Sequence, residues 1–132
     1  MPDLVIALNL KSYLPTLPDS ILTHSLFHSK VPYTGPLKLS LAREWCRRTD
    51  ALAPEDTQRF AARTTLGNAL SASGAIAEAI DVVRGNLEVV TGLQGEEHPH
   101  TLGTTMNLGI LLHGQGKVEE ASTLYTSVLE VP

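Results

Sequence analysis

Cysteine is almost missing from this chain: Cys46 is the only one in 132 residues. One thiol closes no intramolecular disulfide, so nothing marks an oxidising compartment, and the cytoplasm is the expected location. Positive charge is also scarce, with ten Lys and Arg against fourteen Asp and Glu and a formal charge of −4. Neutralising a phosphate backbone takes a cationic surface, which argues against nucleic acid as a partner. Long apolar runs are lacking, since no stretch approaches about eighteen consecutive apolar residues, and no membrane span is expected. The apolar residues 4–8 follow Asp3 where a secretory signal carries Lys or Arg, and the first arginine is Arg43, late for a mitochondrial presequence. A phosphate-binding glycine loop is missing too, because Gly114-Gln115-Gly116 follows no strand.

What remains is a chain 42% hydrophobic, long enough to bury about two-thirds of its unfolded surface without metal or disulfide staples. Prolines at 2, 15, 18, 32 and 36 interrupt the first part, so residues 1–35 read as an irregular or partly disordered segment, with at most a helical turn over 20–29. His24 and His28 would share a face of that turn, but two histidines without a third ligand read as incidental. From Pro36 the period becomes helical. Leu37, Leu41, Trp45 and Leu52 mark a helix over about 36–51. Further helices are expected over about 56–73, 75–91, 100–115 and 117–131, separated by Gly74, by the loop at 92–99 and by Gly116. No alternating strand period follows residue 36, and the class is all-α.

Sliding the chain by 42 positions lays Leu66, Gly67, Leu70, Gly74, Glu78, Ala79, Leu87, Glu88 and Val89 on Leu108, Gly109, Leu112, Gly116, Glu120, Ala121, Leu129, Glu130 and Val131. A helical hairpin is therefore duplicated, as about 56–91 and 100–131. In each copy a glycine between two leucines lets the second helix approach, Ala79 or Ala121 supplies the facing small residue, and Val83 or Tyr125 fills the space beside it.

These residues resemble the tetratricopeptide repeat, with Leu-Gly in the first helix and Ala before a large residue in the second. The 42-residue period, Glu96-Glu97-His98-Pro99-His100-Thr101-Leu102, Asn107-Leu108 and Gln115-Gly116-Lys117 up to Glu119-Glu120-Ala121 are similar to the kinesin light chain type, also found in NB-ARC/tetratricopeptide proteins. The resemblance covers about 54–132, and Pro54-Glu55-Asp56-Thr57 looks like a degraded copy of the inter-repeat loop. Two departures stand out. Asn86 replaces an apolar residue, and Thr57 to Gly74 is two residues longer than Thr101 to Gly116. The resemblance implies an α-solenoid of antiparallel hairpins over 36–132, here one lone helix plus two hairpins. The last hairpin would be uncapped, leaving Leu124, Val128 and Leu129 partly exposed, as in a piece of a longer array or a self-associating chain.

In this family the first helices line the concave surface that receives a peptide or protein segment. The matching positions are Thr64, Thr65, Asn68 and Ser71 in the first repeat and Met106, Asn107, Ile110 and His113 in the second. Asn107 sits where the family often has asparagine, which can bond peptide backbone as donor and acceptor; Thr65 holds the equivalent place. No Lys or Arg falls in this set, so the family's cationic clamp for a C-terminal carboxylate is not expected.

Catalytic and metal sites find less support. His98-Pro99-His100 beside Glu96 and Glu97 offers metal-ligand types, yet it matches the ordinary inter-repeat loop. Cys46, with Arg47 and Arg48 beside it, could be activated, but next to Trp45 it reads as packing. Arg43, Arg47 and Arg48 form the one basic cluster, diluted by Glu44 and Asp50, and read as a solvated helix face. No catalytic residue, metal or cofactor is expected. The expected function is non-catalytic binding of a protein or peptide. Alternatives are a sensor region of a nucleotide-binding NB-ARC-type protein and a cargo-adaptor segment of kinesin light chain kind.

Overall fold

The computed structural model describes Pro15, Pro18, Asp19 and residues 35–130. The expectations for the rest of residues 1–34, including the turn at 20–29 and the His24/His28 face, lie outside the described residues. From residue 35 the described residues form five successive helices: α1 Gly35–Thr49, α2 Thr57–Ala72, α3 Ile76–Gln94, α4 Pro99–Gly114 and α5 Val118–Leu129. Among the described residues there is no strand, and no helix is long and apolar enough to cross a membrane.

The chemistry of the helix ends repeats with the sequence. Asp56 is extended (ψ 128°) and its carboxylate accepts the Gln58 N–H at 2.9 Å, capping α2. His98, 42 residues on, does the same for α4: its Nδ1 accepts the His100 N–H at 3.1 Å, with Pro99 in the first turn. At the C-termini Gly74 and Gly116 adopt φ 85° and 90°. Each left-handed glycine lets the next N–H reach back, from Ala75 to the Leu70 carbonyl and from Lys117 to that of Leu112, both at 2.9 Å.

Three expectations change. The two-residue length difference between the repeats is absent, since α2 and α4 both have 16 residues; the cap of α4 is His98, so Thr57 matches Pro99 and not Thr101. Next, α1 stops at Thr49, whose hydroxyl donates to the Trp45 and Cys46 carbonyls at 2.9 and 3.1 Å, and Leu52 falls in the turn beyond. Finally, Gly92 does not end α3. The helix continues to Gln94 and stops where Gly95 takes φ 88° and its N–H donates to the Thr91 carbonyl.

Each helix packs on the next in sequence, and the core is a row of such seams. Leu41, Ala42, Trp45 and Cys46 of α1 meet Ala62, Leu66 and Leu70 of α2; Ala79, Ile80 and Val83 of α3 continue the row to Leu108, Leu111 and Leu112 of α4, and Ala121 closes it from α5. The glycines make the closest approach. A Cβ on Gly67 would stand 3.1 Å from Val83 Cγ2, and one on Gly109 would stand 2.6 Å from Tyr125 Cε1.

The helix described as lone also has a defined place. Arg43 of α1 pairs with Glu78 in the first turn of α3 at 2.8 Å, and Arg84 of α3 pairs with Glu120 in the first turn of α5 at 2.6 Å. α1 therefore stands to α3 as α3 stands to α5, in the position of a hairpin's second helix. These exposed pairs add little stability but record the register between repeats.

The seam makes a contrast testable by urea denaturation. Gly109→Leu should cost about 1–3 kcal/mol by overfilling the crossing. Gly85→Ala, where a Cβ meets nothing within 4 Å, should stabilise by up to about 1 kcal/mol; equal effects would refute the close-crossing account.

Candidate functional site

The faces of α2 not used for packing open onto a groove of about 760 Å³. Its floor is the α2 stripe of Ala61, Thr64, Thr65, Asn68, Ala69 and Ala72. At the N-terminal end of α2 it is walled by Pro54, Glu55 and Asp56, by Phe60, by Val89, Val90, Leu93 and Gln94 from the last turns of α3, and by His100 of α4. Lys38 of α1 also lines it. Because Cys46 Sγ lies 3.2 Å from the Ala62 carbonyl while, further along the chain, the Leu52 carbonyl accepts from Arg59 earlier in α2, α1 and α2 run antiparallel. Lys38, eight residues before Cys46, is thus about 12 Å along α1, towards the C-terminal end of α2.

Of the expected site residues, the groove brings together Thr64, Thr65 and Asn68. Ser71 is half-buried outside it, and Met106, Asn107, Ile110 and His113 are exposed on α4 without lining it. The groove at α2 is walled by Val89, Val90, Leu93 and Gln94 at the end of α3, which packs on α2 and runs to Gln94.

The polar groups in the groove differ in availability. Thr65 Oγ1 donates to the Ala61 carbonyl at 2.9 Å. Thr64 Oγ1 donates to the Phe60 carbonyl at 3.1 Å and accepts from Asn86 Nδ2 at 3.1 Å. Asn86, the unusual polar residue of α3, is buried and tied to α2 through this threonine. Asn68 and Asn107 are exposed and make no hydrogen bond among the described residues, so their amides are open on both sides of the bond.

Sequence reasoning missed Lys38, Phe60, Val89, Leu93 and His100. It considered first helices only, which left out α1 and its lysine, and it ended α3 at Thr91, which put Leu93 in a loop. Extending the 86, 90, 93 spacing of α3 one turn further was the available signal.

The other candidates have structural roles. His98 is the cap of α4, and the His100 ring stacks on Phe60 with centroids 5.6 Å apart and an interplanar angle of 22°. Among the described residues no three His, Cys, Asp or Glu side chains gather as a metal-holding group. Arg47 donates from Nε to Glu44 Oε2 at 2.9 Å, Arg48 bonds both Glu44 and Asp19, and Arg43 holds Glu78. The basic cluster is thereby tied up by carboxylates. Hydrogen bonding from Arg47 holds Glu44 below the usual carboxylate range, although burial pushes the other way.

Cys46 is buried and its thiol donates to the Ala62 carbonyl. Burial pushes it up to about 11, outweighing the opposing guanidinium of Arg63. Neither Arg47 nor Arg48 acts on it; the cations that do are Arg63 and Arg43. A protonated, enclosed thiol is a packing group.

Antiparallel helical hairpins stacked in sequence define a helical repeat protein. The tetratricopeptide repeat family model matches residues 57–131, more than half of the chain, and the chain belongs to that family. Searches of curated proteins and of solved structures return no match.

The thiol gives a pH-dependent test. The unfolded chain ionises Cys46 near about 8.5, while the native state keeps the proton to about 11. Native stability should therefore fall as pH rises through that window. Urea midpoints should decline less for Cys46→Ala than for the parent chain, and a thiol reagent should react only after unfolding; rapid labelling of the native protein would contradict the burial.

Proposed function

We propose that the chain is a non-catalytic binding module that holds an extended segment of another protein along α2, through backbone bonds to Asn68 and contacts with the walls at either end. Tetratricopeptide repeats generally mediate protein–protein interaction, and the observation that carries the reading is the groove with an Asn68 amide on its floor that makes no hydrogen bond among the described residues. Such an amide offers both halves of a backbone bond and so tolerates sequence variation. Asn107 on α4 has the equivalent freedom and extends the surface beyond the groove. The 42-residue period and the Glu96-Glu97-His98-Pro99 loop support a repeat of kinesin light chain type, and an adaptor and a sensor would use the same face.

The test is selection of peptides from a displayed library on the full chain, followed by nuclear magnetic resonance titration with a selected peptide. Shifts should concentrate on α2 amides, and Asn68→Ala should weaken binding by about two- to tenfold with an unchanged helical signal. If Asn68→Ala and Asn107→Ala both leave affinity unchanged, the site lies elsewhere.

Self-association has separate support. Leu129 is 82% exposed and Val118 54%, while Leu124 and Val128 are half-buried. Sedimentation should show concentration-dependent association relieved by Leu129→Ser; a monomer at every concentration removes this reading.

A further inference from the structure

We propose that the groove selects a linear segment in which a large apolar side chain lies within a few residues of a lysine or arginine, with both over the N-terminal end of α2. The inference rests on the binding reading above and adds the chemistry of the occupant.

The groove is unequal along its length. At the N-terminal end of α2 the Phe60 ring, backed by His100, faces Val89 and Leu93, which sit one turn apart on α3. Val89 is 38% exposed and Leu93 52%. Two large aliphatic groups left half open over an aromatic ring form a pocket for one bulky apolar side chain.

Carboxylates rim the same end. Glu55 and Asp56 line the groove, and Glu96 and Glu97 occupy the adjoining loop, between the groove residues Gln94 and His100. Among the described residues none of the four is in an ion pair. Arg59, the cation nearest in the chain, lies outside the lining and donates to the Leu52 carbonyl at 3.2 Å. At the opposite end the lining has a single charge, Lys38. Acids in no ion pair among the described residues, beside an apolar pocket, complement a cation beside an apolar anchor and repel an acidic segment, which sets the charge preference. The 16 residues of α2 span about 24 Å, the reach of about seven extended residues.

Fluorescence anisotropy on the full chain with three labelled probes tests this. Each is a short Gly-Ser peptide: the first carries Phe followed by Arg, the second has Glu in place of Arg, and the third has Ser in place of Phe. The first should bind about fivefold or more tighter than the second, and added salt should narrow the gap. Glu55→Lys should abolish or reverse the preference, whereas Leu93→Ser should weaken the first two probes alike; circular dichroism checks that both variants are folded. Equal binding of the two charge forms, or a preference that survives Glu55→Lys, overturns the charge selection and leaves peptide binding standing. If no probe binds while library peptides do, the occupant has other chemistry; if neither binds, the binding reading fails as well. A dimer dissociated by Leu93→Ser would put a second copy in the groove and overturn the proposal.

Discussion

The two helices of each hairpin can share a seam only where their backbones come close, and that closeness is the constraint on which the rest depends. Gly67 under Val83 and Gly109 under Tyr125 leave room for one neighbouring side chain and nothing more. The larger ring of Tyr125 sits tighter, at 2.6 Å from where a Cβ would be, than the methyl of Val83 at 3.1 Å. With the crossing set, Ala79 and Ala121 are fully covered. The left-handed turns at Gly74 and Gly116 then fold the second helix back in the same way in both repeats. Since each seam joins consecutive helices, stability is the sum of local interfaces with no single centre.

Charge is distributed according to the same repeat. Arg43, Arg47, Arg48, Arg63 and Arg84, all on the helices, hold carboxylates. In Glu44 the cost of burial is offset by hydrogen bonds from two arginines, and the carboxylate remains ionised. Cations are thus consumed along the helices, whereas Glu55, Asp56, Glu96 and Glu97 stay unpaired in the inter-repeat loops among the described residues. Two of these, Glu55 and Asp56, line one end of the groove.

The duplicated hairpin was legible because its determinants are local. Leu66-Gly67 and Leu108-Gly109, the facing alanines and the turn glycines each act through a few residues of sequence, and they gave class, helix order and the close crossings. Helix ends were less legible. Gly92 looks like Gly95 in sequence, and only backbone conformation tells the stop from the residue passed through. His98 as a cap was hidden because imidazole is an unusual acceptor in that role. The groove was partly legible: Thr64, Thr65 and Asn68 follow from the face of α2. Its walls come from α1, from an overlong α3 and from the next repeat, and distance in the chain concealed them. The same applies to α1, whose rank as a second helix shows only in the Arg43 pair with Glu78.

The overhang of α3 past Thr91 has a further consequence for counting. Floor, lip and far wall of the groove belong to consecutive repeats: Lys38 to the element before, Phe60 and Leu93 to one hairpin, His100 to the hairpin after. A complete cleft is thus a property of a neighbourhood, and no hairpin owns one alone. Stacking hairpins of this design would yield two clefts fewer than the number of hairpins, because the first has no element before it and the last no hairpin after it.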